Sequence, residues 1–177
     1  MSSLPKKVTV LVDSREQKPL VFPKSIAWVG DGRETQISLS LRVVRLDYGD
    51  YALEGYEDCG VVERKGSLSE LFSNLFTTDL GRQAKSFRKL VDYCMYPYLL
   101  LEGNPAALYR TAKDYRGVPE ELREPGYVVD VLLRTLGAYG IQLLWLGGAR
   151  SQAAKRVTGD VVLRLLLRHA AEKEAWS

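Results

Sequence analysis

A chain of 177 residues, 46% of them hydrophobic, is long enough to bury one proper core and short for two, which predicts a single domain over residues 1–177. Its 25 basic and 22 acidic side chains leave a net charge of +3, so bulk charge neither requires nor excludes a polyanionic partner and local clustering must decide. Two cysteines, Cys59 and Cys94, and a single histidine, His169, argue against a zinc cage, a disulfide-stapled secreted scaffold and histidine-based catalysis, leaving carboxylate and lysine chemistry.

The short, basic segment Met1 to Lys7 and the brevity of every apolar run predict neither secretion nor membrane insertion, hence an intracellular protein of the cytoplasm or nucleoid, or of the nucleus in a eukaryote. Val8 to Val12 is a β-branched run that reads as a buried strand ending in the polar group Asp13-Ser14-Arg15-Glu16. Pro19 to Arg33 holds two prolines and an Asp31-Gly32 turn signal and reads as irregular, followed by a strand from Gln36 to Leu46 that is open to a break near Leu41 or Arg42. Tyr48 to Tyr51 reads as a turn, Glu54, Glu57 and Asp58 as solvated acidic loop residues, and Cys59 to Arg64 as a short strand.

From Ser67 the residues Leu68, Leu71, Phe72, Leu75 and Phe76 make a helical stripe, with Ser67 and Glu70 spaced as a capping box. A second helix is predicted from Leu80 to Tyr93, where Ala84, Phe87, Leu90 and Val91 repeat at helical spacing. Tyr98 to Leu101 reads as a buried strand, Val128 to Ala138 as a helix, Ile141 to Leu146 as a strand, and Gln152 to Ala171 as a helix weakened at Gly159. Alternation of strand and helix indicates the α/β class.

Chemistry concentrates at two places. Asp50 and Glu63 lie thirteen positions apart, within reach of each other through a turn and a short strand. A hard cation such as magnesium needs only one or two carboxylates besides water and substrate phosphate, so Asp50 and Glu63 suffice as the core of a metal site, with Asp13 a possible third ligand. Residues two apart on a strand share a face, so Glu63 and Lys65 point together and Arg64 points away. Metal-activated water beside a lysine ammonium is the chemistry of phosphodiester hydrolysis without a covalent intermediate. Taken singly, each motif also has an ordinary explanation: Asp50 in a turn after Gly49, and Glu63-Arg64-Lys65 as a charged edge-strand segment.

Asp13-Ser14-Arg15-Glu16, Gly49-Asp50-Tyr51 and Val62-Glu63-Arg64-Lys65, in that order, resemble the nuclease domain of the XPF family of structure-specific endonucleases, whose signature is GD, a variable gap, then ERK. The resemblance covers about residues 8–101, leaving a helix-strand-helix extension over about 102–177. It implies a restriction-endonuclease-like core with a central mixed sheet flanked by helices, and cleavage of branched or single-strand/double-strand junction DNA with Mg2+ or Mn2+, as in DNA repair and recombination. By the same resemblance Asp50 and Glu63 are metal ligands, Lys65 the catalytic lysine and Asp13 a further acidic residue of the site, while Arg15, Glu16 and Arg64 match motif positions of less defined role.

Arg15 could hold a phosphate through its fork of donors, whereas Arg64, on the other strand face, could instead form a structural ion pair. The family motif continues with an aspartate where this chain has Ser69, and the extra Gly66 could let Glu70 take that place. A helix-hairpin-helix module is not recognisable after the core.

Arg82, Lys85, Arg88 and Lys89 put cations on the second helix, suited either to phosphates or to solvent. Arg150, Lys155 and Arg156 read as surface residues. Trp145 reads as core, and Tyr48 and Tyr51 as better candidates for stacking on unpaired bases. The apolar last helix with His169 suits an internal packing face or a homodimer contact. The competing functions are a non-catalytic DNA-binding scaffold with a nuclease fold, and a recombination or restriction nuclease of the same superfold.

Overall fold

The computed structural model describes residues 4–30, 32–76, 80–104, 106–108, 120, 124–148 and 151–176. Within them run β1 (Lys7–Asp13), β2 (Ser25–Gly30), β3 (Arg33–Val44), β4 (Tyr51–Leu53), β5 (Gly60–Lys65), α1 (Leu68–Phe76), α2 (Leu80–Tyr93), β6 (Tyr96–Glu102), α3 (Pro125–Tyr139), β7 (Gln142–Leu146) and α4 (Gln152–Trp176). The strands form a mixed sheet in the order β2-β3-β1-β4-β5-β6-β7, which makes the chain α/β as the alternation predicts. By its internal contacts the chain divides into two compact units, Met1–Val62 with Cys94–Tyr96 and Ala149–Ser177, and Glu63–Tyr93 with Pro97–Gly148.

In the first unit β1 runs parallel to β3 and antiparallel to β4, and Tyr51 and Ala52 of β4 pair with Val62 and Val61. Three residues are too few to show a period, so β4 is invisible to pattern reading, and it forms because both its edges are paired. Val10, Ile37, Tyr51, Ala52, Val61 and Val62 are buried to within 1%. Tyr51 belongs to this core rather than to a base-stacking surface: its ring packs on Phe22 and its hydroxyl accepts the Leu20 amide hydrogen at 3.0 Å.

The stretch expected to be irregular contains β2, which pairs antiparallel with Arg33–Ser38. Ile26, Trp28 and Val29 are good strand formers, but only Ile26 is buried, so the alternation that would have announced a strand is weak at this end of the sheet. Gly32, with φ 73°, turns the chain between β2 and β3, while Asp31 lies outside the described residues. β3 runs on through Leu41 and Arg42 without a break.

Helix α4 packs against β4 and buries Val162, Leu163, Leu166, Leu167 and His169 in the same unit, with His169 stacked on Tyr96 at 4.0 Å between ring centroids. Gly159 has a packing reason. A Cβ there would run into the Val21 carbonyl, a backbone group that cannot swing aside. Gly159→Ala, which would help an exposed helix, is therefore expected to destabilise the protein by about 1–3 kcal/mol, read as a lower urea midpoint.

In the second unit, Leu68, Leu71, Phe72 and Leu75 are the buried stripe of α1, and the Glu70 amide donates to Ser67 Oγ at 3.2 Å as an N-cap. Helix α2 buries Gln83, Phe87 and Leu90, and Phe87 meets Tyr139 of α3 edge-on at 5.8 Å. β6 is buried from Pro97 through Glu102 and runs parallel to β7. Trp145 is half-buried and donates its indole hydrogen to the Gly103 carbonyl at 2.8 Å. Among the described residues no helix is long and apolar enough to cross a membrane, and Cys59 and Cys94 are buried free thiols.

Candidate active site

Asp13 ends β1 with its carboxylate out of solvent and saturated with donors. Oδ1 accepts from the Arg15 amide at 2.7 Å and from Arg15 Nε at 2.8 Å, and Oδ2 accepts from Arg15 Nη2 at 2.8 Å and the Leu46 amide at 2.9 Å. Burial by itself would raise the Asp13 pKa, but the Arg15 and Leu46 hydrogen bonds and the Arg15 charge outweigh it and the net shift is downward. Arg15 keeps 58% of its side chain exposed and also donates from Nη2 to the Leu46 carbonyl at 2.9 Å, so its guanidinium is aimed by two partners while remaining accessible. Glu16 is turned to local use, its Oε1 accepting from the Lys18 amide at 2.8 Å.

A carboxyl whose folded pKa is depressed adds stability above its ordinary value of 3.8 and loses it as pH falls through the lower folded value. Wild-type unfolding free energy is therefore expected to drop with acid below about pH 4, and Asp13→Asn, unable to titrate, to show a flatter profile in urea titrations.

Asp50 follows Gly49, whose φ of 68° suits glycine, and is itself half-buried. Its amide donates to the Val62 carbonyl and its carbonyl accepts from the Asp13 amide, both at 2.9 Å, so the backbone of Asp50 is tied to the end of β1 and to the residue before Glu63.

On β5, Glu63 and Lys65 share a side as the strand period predicts. Lys65 Nζ lies 2.8 Å from Glu63 Oε1, with side chains 8% and 12% exposed. Glu70 stands 3.7 Å from the same ammonium through Oε1 and accepts the Gly66 amide hydrogen through Oε2 at 3.1 Å. The reciprocal half of the capping box thus goes to Gly66 instead of Ser67, which brings the Glu70 carboxylate beside Lys65, while Ser69 is exposed on α1.

Arg64 alternates to the other side and is 6% exposed. Its Nε lies 2.7 Å from Oε1 of Glu102, itself 3% exposed. This is the ion-pair alternative for Arg64, and the side chain is buried away from any phosphate. Glu102 had no role from sequence. Its signal was a carboxylate closing the apolar run Tyr98 to Leu101, a place where burial demands a partner.

Arg82, Lys85, Arg88 and Lys89 are all exposed on α2. At about 100° per residue they fall within roughly a third of the helix circumference, opposite Gln83, Phe87 and Leu90. Of the other basic patch, Arg150 lies outside the described residues, Lys155 is half-buried and Arg156 exposed.

No protein-family model and no curated protein matches the chain. Among solved structures, XPF from Aeropyrum pernix matches with a TM-score of 0.54 and 22% identity over 90% of this chain and 60% of that one. XPF from Aeropyrum pernix in complex with DNA matches with a TM-score of 0.56 and 23% identity over 94% of this chain and 66% of that one. The chain spans about three fifths to two thirds of the length of these proteins. Its fold is that of an XPF-like nuclease domain, as the ordered motifs imply.

Proposed function

We propose that this protein is a DNA endonuclease that hydrolyses phosphodiester bonds with Mg2+ or Mn2+ and acts on branched, flap or fork DNA. The observation that carries the reading is the Glu63–Lys65 pair, a carboxylate and an ammonium 2.8 Å apart on one side of β5. The XPF-like fold and the order of the three motifs support it.

The residues present fit a magnesium-type ion by donor chemistry, and by a small donor set. Among the described residues no group of three or more His, Cys, Asp or Glu is gathered to hold a metal, and Asp13 has both oxygens engaged by Arg15 and Leu46. Asp50 and Glu63 would be the ligands, since two carboxylates suffice for an ion that keeps several waters and takes phosphate oxygens. When bound, the ion supplies Lewis-acid polarisation of the phosphate and activation of water. Lys65, held by Glu63 with Glu70 behind it, orients the attacking water and offsets charge in the transition state. Asp13 holds Arg15 by its Nε and Nη2 edge, which leaves Nη1 of the exposed side chain for a phosphate, and the exposed α2 cations suit further backbone phosphates.

The test is to incubate the protein with end-labelled duplex, single-stranded, flap, fork and four-way DNA, with Mg2+, Mn2+ or chelator. Cutting of flap and fork DNA that requires the metal is the expected result. Binding without cutting in every arm would replace this reading with the scaffold.

A further inference from the structure

The register of the first unit lines up Arg42, Leu11, Ala52 and Val61 as one row across β3, β1, β4 and β5. That row, with Val44, lines a cavity of about 300 Å³ whose remaining walls are Arg45, Leu46, Asp47, Tyr48 and Glu57. The volume is at the low end of what small ligands fill, enough for one flat ring system and far too little for a base pair with its backbones.

The chemistry of the walls is divided. Leu11, Ala52 and Val61 close the floor at 2% exposure or less, and half-buried Val44 and Tyr48 give the apolar and aromatic surface. Arg45 favours an anion, Arg42 does so in competition with the Glu54 carboxylate 2.6 Å from its Nη1, and Asp47 and Glu57 repel one and accept hydrogen bonds from N–H donors. A ring with exocyclic N–H donors, joined to a phosphate that stays on the arginine side, suits these walls.

The location agrees. Leu46, on the cavity wall, is hydrogen-bonded through both its amide and its carbonyl to Asp13 and Arg15, and Tyr48 precedes Asp50 by two residues.

We propose that this cavity receives one unpaired nucleotide of the DNA strand next to the scissile phosphate, its base against Tyr48 and Val44 and its phosphate at Arg45, where Arg42 can exchange Glu54 for it. This rests on the nuclease reading and deepens it. A base in duplex is stacked and paired and cannot enter, so the cavity selects for a junction or flap by admitting only a base that is already free.

The test uses fluorescence anisotropy with chelator present, so that binding is read without cutting. The probes are a labelled single-stranded oligonucleotide and the same backbone with abasic sites throughout. Wild-type protein is expected to bind the base-bearing strand roughly ten- to a hundred-fold tighter, the scale of one stacked base. Tyr48→Ala should bring that ratio towards one, and Tyr48→Phe should restore it.

Equal affinity of the wild type for both probes overturns the proposal and needs no variant to show it. A ratio that survives Tyr48→Ala overturns it too. The nuclease reading fails separately, through absence of metal-dependent cutting in the substrate panel, and metal-dependent cutting with no base-dependent binding overturns the cavity alone.

Discussion

Glu63→Gln, and independently Asp50→Asn, is expected to reduce cutting of flap and fork DNA by a factor on the order of a thousand or more while leaving DNA affinity within a few-fold. The amide keeps the shape of each side chain and removes the negative charge that a hard cation requires. Glu63→Gln has a second effect, because it takes from Lys65 the carboxylate 2.8 Å away. Glu70 remains 3.7 Å from that ammonium and limits the damage to the fold, so the loss should appear in the single-turnover rate with only a modest change in thermal midpoint. Excess Mn2+ should rescue neither variant fully. Wild-type rates in both would sink the assignment of these two ligands.

Glu102→Ala is expected to be the most destabilising single change at the motif, and for a reason unrelated to chemistry on DNA. Arg64 and Glu102 are 6% and 3% exposed and joined at 2.7 Å. Deleting one partner of a buried pair leaves a charge in a medium that solvates it poorly, at a cost of about 3–5 kcal/mol. For a chain of this size that corresponds to a fall in thermal midpoint of roughly 6–20 °C. Replacing both residues together, Arg64→Met with Glu102→Leu, should recover most of the loss, because two apolar groups need no mutual compensation. If the double variant is as unstable as Glu102→Ala, the pair is not the source of the stability, and a melt monitored by circular dichroism decides it.

The parts of the fold that pattern reading reached are those where burial imposes a clear period. Leu68, Leu71, Phe72 and Leu75 announced α1, the limits of α2 were legible from Leu80 to Tyr93, and β1 and β6 were plain apolar runs. What escaped was short or one-sided: β4, with three residues, and β2, whose Val29 is 65% exposed. At the site, two-residue alternation placed Glu63 and Lys65 together and Arg64 apart. It could not show that Arg15 saturates Asp13, because that depends on a two-residue turn and on Leu46, thirty-three positions on. Nor could it show that Tyr51, next to Asp50, is part of the core, since its partners Leu20 and Phe22 come from a stretch with no pattern of its own.

The alternation along β5 also limits how the gene encoding this protein can vary. Val61, Glu63 and Lys65 occupy one side of the pleat and Val62 and Arg64 the other, and the same six residues must satisfy both. Point changes can be absorbed one at a time, but a codon gained or lost between Gly60 and Lys65 would exchange the two sets, sending Arg64 to the side now held by Glu63 and Lys65 into the place of a buried guanidinium. Deletion scanning should therefore find this strand intolerant of any change in length even where single substitutions are accepted.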